Sequence, residues 1–192
     1  MGLMCLPDLL GPLEAVLFAS GSPVSEKQLA EILAVDRENV VELLALEKER
    51  LARRQSGIEL QEVAGGWQFV TRAAYFPYIE NLSQTVDRRL SAAAMETLAI
   101  IAFRQPVTKQ EIEHIRGVHA EKVVALLIER ELIQEVGRKA VIGRPILYGT
   151  TATFLRCFGL RDLKELPALP ELTIEADEGL SRLAMPNEES TL

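Results

Sequence analysis

The 192-residue chain is poor in most of the residues that mark an enzyme, a metalloprotein or a membrane protein. Its two cysteines, Cys5 and Cys157, are far apart and have no metal-ligand spacing, which implies reduced thiols and a cytoplasmic setting. The two histidines, His114 and His119, are five apart across an expected turn rather than four apart on one helical face. The sequence contains no Gly-x-Ser-x-Gly elbow, no phosphate-binding Gly-x-x-x-x-Gly-Lys-Ser/Thr loop and no paired-acid signature. The expectation is a protein without catalytic activity, metal, cofactor or small-molecule substrate.

No apolar run approaches the ~20 residues of a membrane span. The opening MGLMCLPDLL lacks a basic stretch and is interrupted by Pro7 and Asp8, unlike a secretory signal. Leu6 stands where a myristoylation motif requires Ser or Thr, so no membrane association is expected. Aromatics make up only 5%, leaving Leu, Val, Ile and Ala to build the core, a balance that suits helices in small units.

Positive charge is also short. The net charge is −7, with Lys+Arg against Asp+Glu running 7 to 12 over residues 1–80, 13 to 10 over 81–165 and 1 to 6 over 166–192. Duplex DNA is held by phosphate neutralisation and counterion release, so an acidic chain is a poor autonomous DNA binder.

What the chain does contain is a repeat. Sliding it by 83 positions aligns residues 23–47 with 106–130 without a gap, and nine of the 25 positions are identical. The identities include Pro23/Pro106, Val24/Val107, Ile32/Ile115, Val35/Val118, Glu38/Glu121, Val40/Val123 and Leu44/Leu127. Each copy reads as one structural unit. A first helix carries Leu13, Val16 and Leu17, or Leu98, Ile101 and Ala102, on one face. A turn ending Pro-Val-Ser or Pro-Val-Thr then offers Ser25 or Thr108 as helix N-cap. A short second helix follows, and Gly117 supplies a positive-φ turn in the second copy. The third helix is expected from about Arg37 to Arg54 and from about Ala120 to Arg130, with apolar stripes at Val40/Leu43/Leu44 and Val123/Leu126/Leu127.

Each trio of helices precedes a strand pair. Ile58–Val63 and Trp67–Thr71 flank a Gly65-Gly66 turn, with Trp67 and Phe69 covering the core. Leu132–Val136 and Ile146–Thr150 flank a Gly137–Pro145 loop. Three helices and a two-stranded wing define a winged helix, so the fold class is mainly α with small β wings (α+β), two winged helices in tandem. The expected boundaries are 1–80 for the first domain, 81–90 for a linker, 91–165 for the second domain and 166–192 for a flexible acidic tail.

The loop GRKAVIGRPILYGTT is the most distinctive stretch. Gly143 lets the backbone bend and Pro145 stiffens its return, while Arg144 suits forked hydrogen bonds and Tyr148 offers a flat face with a polar tip. The plainer reading is a loop whose glycines and proline only shape a turn. The apolar LAIIAF helix, Leu98–Phe103, is either deeply buried or covers a partner, and the same alternatives hold for Leu9–Phe18.

GRPILYGTT (Gly143–Thr151), ETLAIIAFRQPVT (Glu96–Thr108) and IRGV (Ile115–Val118) resemble the bacterial segregation and condensation protein B (ScpB) family, over roughly residues 10–170. LEAVLFASGSPVS at Leu13–Ser25 matches more loosely, and Ala140, Val141 and Ile142 lie where the family's loop is often more polar. The resemblance implies a homodimeric, non-catalytic condensin subunit that grips the kleisin ScpA and reaches the SMC ATPase only through it. It implies a nucleoid-associated protein touching chromosomal DNA weakly or through the complex. It places dimerisation in the first domain, near Leu13, Val16, Leu17 and Phe18. Kleisin contact would fall on Leu98, Ile101, Phe103, Arg116, Gly117, Gly143, Arg144, Pro145 and Tyr148. The rival reading is a winged-helix transcriptional regulator, for which the third helices would have to read base edges.

Overall fold

The computed structural model describes residues 6–80 and 89–168. Most of the expected linker (81–88) and the acidic stretch from Thr173 onward lie outside the described residues. In the first domain a 3₁₀ turn, Leu6–Leu9, leads into α1 (Leu10–Ser20), α2 (Glu26–Leu33) and α3 (Arg37–Arg53). The hairpin β1 (Ile58–Val63) and β2 (Gly66–Thr71) follows, then α4 (Phe76–Glu80). The second domain runs α5 (Ala92–Arg104), β3 (Val107–Thr108), α6 (Lys109–Arg116), α7 (Glu121–Glu129), β4 (Ile133–Arg138), β5 (Ile146–Thr150) and α8 (Ala152–Phe158).

The repeat is visible in the caps. Ser25 Oγ accepts from the Gln28 N–H at 3.3 Å, and Gln28 Oε1 accepts from the Ser25 N–H at 3.1 Å. Thr108 Oγ1 and Glu111 make the same reciprocal pair at 3.3 and 2.8 Å. Both helices thereby satisfy N–H groups that have no partner within the helix. The valine before each cap joins the wing. Val24 exchanges backbone hydrogen bonds with Trp67 at 2.9 and 2.8 Å, and Val107 pairs with Tyr148, so β3 extends the second sheet in the order β3-β5-β4.

The hairpin turn falls at Ala64-Gly65, with φ of 50° and 71°, rather than at Gly65-Gly66. Gly66 opens β2, because the Val24 backbone passes so close that a Cβ would sit 2.9 Å from its carbonyl carbon. Gly117 takes φ 70° after α6, whereas the first copy puts Ala34 at φ 54° in the same place.

Each domain closes its own core. Leu13, Leu29, Leu43 and Leu51 anchor the first; Leu98, Ile101, Ile112, Leu127 and Ile133 anchor the second. Trp67 and Phe69 pack against the first core, as expected. The third-helix stripes differ between copies. Val40, Leu43 and Leu44 are buried, but in α7 it is Val124 and Leu127 that sink deepest, with Val123 and Leu126 half-buried. Ala120 is buried where the first copy has exposed Arg37. The first core also holds a carboxylate: Glu47 is fully buried against the Arg50 Nε at 2.8 Å, and Arg50 reaches Glu14 on α1 at 2.5 Å. The hydrogen bond from Arg50 is the largest influence holding the Glu14 carboxyl below its ordinary range.

The two caps should differ in weight. Ser25→Ala is expected to cost ~1 kcal/mol. Thr108→Ala, whose side chain is buried, should cost more, up to about 2 kcal/mol, in urea unfolding followed by circular dichroism. Losses under about 0.3 kcal/mol in both variants would show that the caps do not hold the second helices.

Candidate protein-interaction surfaces

The structure sorts the expected site residues by burial. Leu13 and Leu17 lie in the first core and Val16 is half-buried, while Phe18, one residue on, is 83% exposed. Leu98 and Ile101 are core residues and Phe103 is half-buried, so the LAIIAF helix takes the buried alternative. Arg116 is largely covered: its side chain is 6% exposed and its Nε meets Glu96 Oε2 on α5 at 3.1 Å. Gly117 is exposed at the helix end.

Tyr148 departs from expectation. It is 8% exposed and belongs to the second core, with burial pushing its hydroxyl pKa up. Its ring packs among the buried residues of that core, so it presents no flat face to the surface.

The wing tip is different. Gly143 and Arg144 are exposed at φ 84° and 40°, and Pro145 is half-buried. Short turns order the loop: Lys139 N–H donates to the Pro145 carbonyl, Val141 N–H to Lys139, and Arg144 N–H to Val141, each at 2.9 Å. Arg138 caps the return through the Arg144 carbonyl at 3.2 Å. Lys139 is drawn to α6, its Nζ 2.6 Å from Glu111 Oε1. That bond, with the Thr108 N–H and hydroxyl, holds the Glu111 carboxyl down at about 2.

Between the wing and α6 lies a cleft of 380 Å³, lined by Thr108, Gln110, Glu111, His114, Ile115, Lys139, Val141 and Pro145. Ile115 is 52% exposed at this cleft, Val118 follows α6 in the open, and Ile142 at the wing tip is fully exposed. Neither Ile115, Val118, Val141 nor Ile142 was singled out from sequence as a contact residue. The signal lay in the repeat: Ile32 and Ile115 are identical, and both are exposed. A second concavity, of 850 Å³, lies between the end of α7 and α8 and is lined by Leu126, Leu132, Cys157 and Phe158 among others.

The third helices present acids outward. Glu38 and Glu42 on α3, and Glu121 and Glu129 on α7, are exposed, and each would repel phosphates. No helix among the described residues is long and apolar enough to cross a membrane.

Three helices and a wing, twice in tandem, define a paired winged-helix protein. The family model described as the segregation and condensation complex subunit ScpB matches residues 11–169. The chain is 51% identical to segregation and condensation protein B of Moorella thermoacetica over 172 residues, covering 90% of this chain and 88% of that protein. It is 48% identical to the protein of the same name from Geobacillus thermodenitrificans, covering 86% and 79%. Among solved structures it is similar to ScpB from Mycobacterium tuberculosis, with 36% identity, coverage of 83% and 99%, and a TM-score of 0.41. A dimer of the ScpB N-terminal domain complexed with ScpA peptide shares 28% identity, over 41% of this chain and 98% of that one, with a TM-score of 0.39. The chain belongs to the segregation and condensation protein B family, subunits of the complex that condenses and segregates chromosomes.

The Lys139–Glu111 pair predicts an acid-sensitive wing. The folded state holds the Glu111 proton more weakly than the unfolded chain does, so its contribution is full above the ordinary value of 4.5 and drains away as pH falls toward about 2. Both side chains are nearly half exposed, which limits the contribution to ~0.5–1 kcal/mol. Lys139→Ala should lower stability at pH 6 and flatten the acid limb in urea titrations at stepped pH. An acid limb identical to the parent's would remove the pair from the wing's support.

Proposed function

We propose that the chain is a non-catalytic adaptor of the SMC–ScpA–ScpB condensin. In this reading it forms a homodimer through residues 1–80, binds the kleisin ScpA through residues 91–165, and meets the SMC ATPase only by way of ScpA. The observation that carries the kleisin contact is the cleft between α6 and the second wing, with Ile115 and Val141 in its lining and Ile142 exposed beside it. Exposed apolar side chains bordered by Arg138, Lys139 and Arg144 suit an amphipathic segment: aliphatic anchors in the cleft, acidic residues along the rim. Gly143 and Pro145 contribute by shaping the wing, and Arg116 by fixing the end of α6 against Glu96.

The dimer reading gains support from Phe18, an aromatic side chain left in the open on α1, with Leu13 and Leu17 anchoring the same helix from within. Cytoplasmic action at the nucleoid follows from the complex, with chromosomal DNA touched weakly or through it. The exposed glutamates of α3 and α7 weigh against the rival reading, a transcriptional regulator.

Light scattering on the purified chain, alone and with ScpA from the same genome, tests both halves. The parent should run as a dimer and gain a defined mass with ScpA, and Phe18→Glu should shift it toward monomer. Ile115→Glu and Ile142→Asp should each weaken ScpA binding about tenfold or more by calorimetry, at unchanged thermal midpoint. Unaltered affinity in both variants would remove the wing cleft from the kleisin contact. A dimer indifferent to ScpA that binds a palindromic DNA fragment would favour the regulator.

A further inference from the structure

We infer that the tip of the first wing is a docking site for extended main chain, and that its occupant is this chain's own Leu160–Arg161 segment, which latches the two domains together. The inference stands apart from the kleisin reading. A two-residue hairpin turn with both central residues at positive φ closes the β1–β2 ladder at Val63 and Gly66 and leaves the central N–H groups pointing outward. Here both are taken. Ala64 N–H donates to the Leu160 carbonyl at 2.9 Å and Gly65 N–H to the Arg161 carbonyl at 3.1 Å, so consecutive donors meet consecutive acceptors.

The acceptor segment is held ready by its own domain. Gly159 ends α8 at φ 66°, Leu160 N–H donates to the Leu155 carbonyl at 2.9 Å, and the Leu160 side chain packs on the second core. Arg161 is fixed by Glu165, whose carboxylate accepts from the Arg161 N–H at 2.7 Å and pairs with its guanidinium. Two arginines set the register across the seam. Arg161 lies 3.9 Å from Glu62 on β1, and Arg156 donates to the Gly21 carbonyl at the end of α1 at 3.5 Å. The approach is close: a Cβ on Gly159 would stand 3.2 Å from Gln61 Nε2.

Nuclear magnetic resonance on the full chain tests the latch. Through-hydrogen-bond couplings should link Ala64 N to the Leu160 carbonyl carbon and Gly65 N to that of Arg161, and both amides should exchange with solvent at least about tenfold slower than free peptide. Both amides exchanging like free peptide, or coupled to a carbonyl of their own hairpin, would overturn the proposal. Arg156→Glu combined with Arg161→Glu should cut the protection of Ala64 and Gly65 by about threefold or more, with the β1–β2 ladder amides and the thermal midpoint unchanged. Equal protection in parent and variant would overturn the register role given to the arginines.

Discussion

The fold rests on what a Pro-Val-Ser/Thr tripeptide does twice. Its valine backbone pairs with the returning wing strand, and its hydroxyl residue starts the second helix. One short segment thus fixes the wing and the helix at the same time. The α6–wing cleft exists because Thr108 belongs both to β3 and to the cap of α6. Glu111 then closes the arrangement from the other side, its carboxylate shared between the cap and Lys139 of the wing.

The two copies have diverged most in their wings. The first wing is a tight two-residue hairpin with its apolar residues turned to the core, and its tip meets the other domain. The second wing is long, its strand register broken between Glu135 and Gly137, and its tip carries valine and isoleucine into the open. Exposed apolar residues at a wing tip add little to the domain's own core.

Much of this was legible in the sequence, because the repeat repeats physics as well as letters. The cap residues, the helix order and the wings follow from hydroxyl placement, 3.6-residue periodicity and alternation. What escaped depends on tertiary geometry. The turn was expected at Gly65-Gly66 because two glycines suit a positive φ, but Gly66 is required by the passage of Val24. Tyr148 resembles a contact residue by type, and only its packing in the second core shows that it is buried. Helix α8 escaped because Thr151, its cap, reads equally well as the end of a strand. Within the GRKAVIGRPILYGTT stretch the sequence favoured the arginine and tyrosine by residue type, while the structure leaves Val141 and Ile142 the most exposed large apolar side chains.

The separation of the two cores has a thermodynamic consequence. Among the described residues, no buried residue is shared between the two apolar clusters, and the described hydrogen bonds across the seam are few. A chain built this way melts as two coupled units, and a calorimetric trace fitted to a single transition would return an enthalpy belonging to neither. A ligand gripping one half stabilises that half first, and the other gains only what the seam transmits. Heat therefore reports which half a partner occupies.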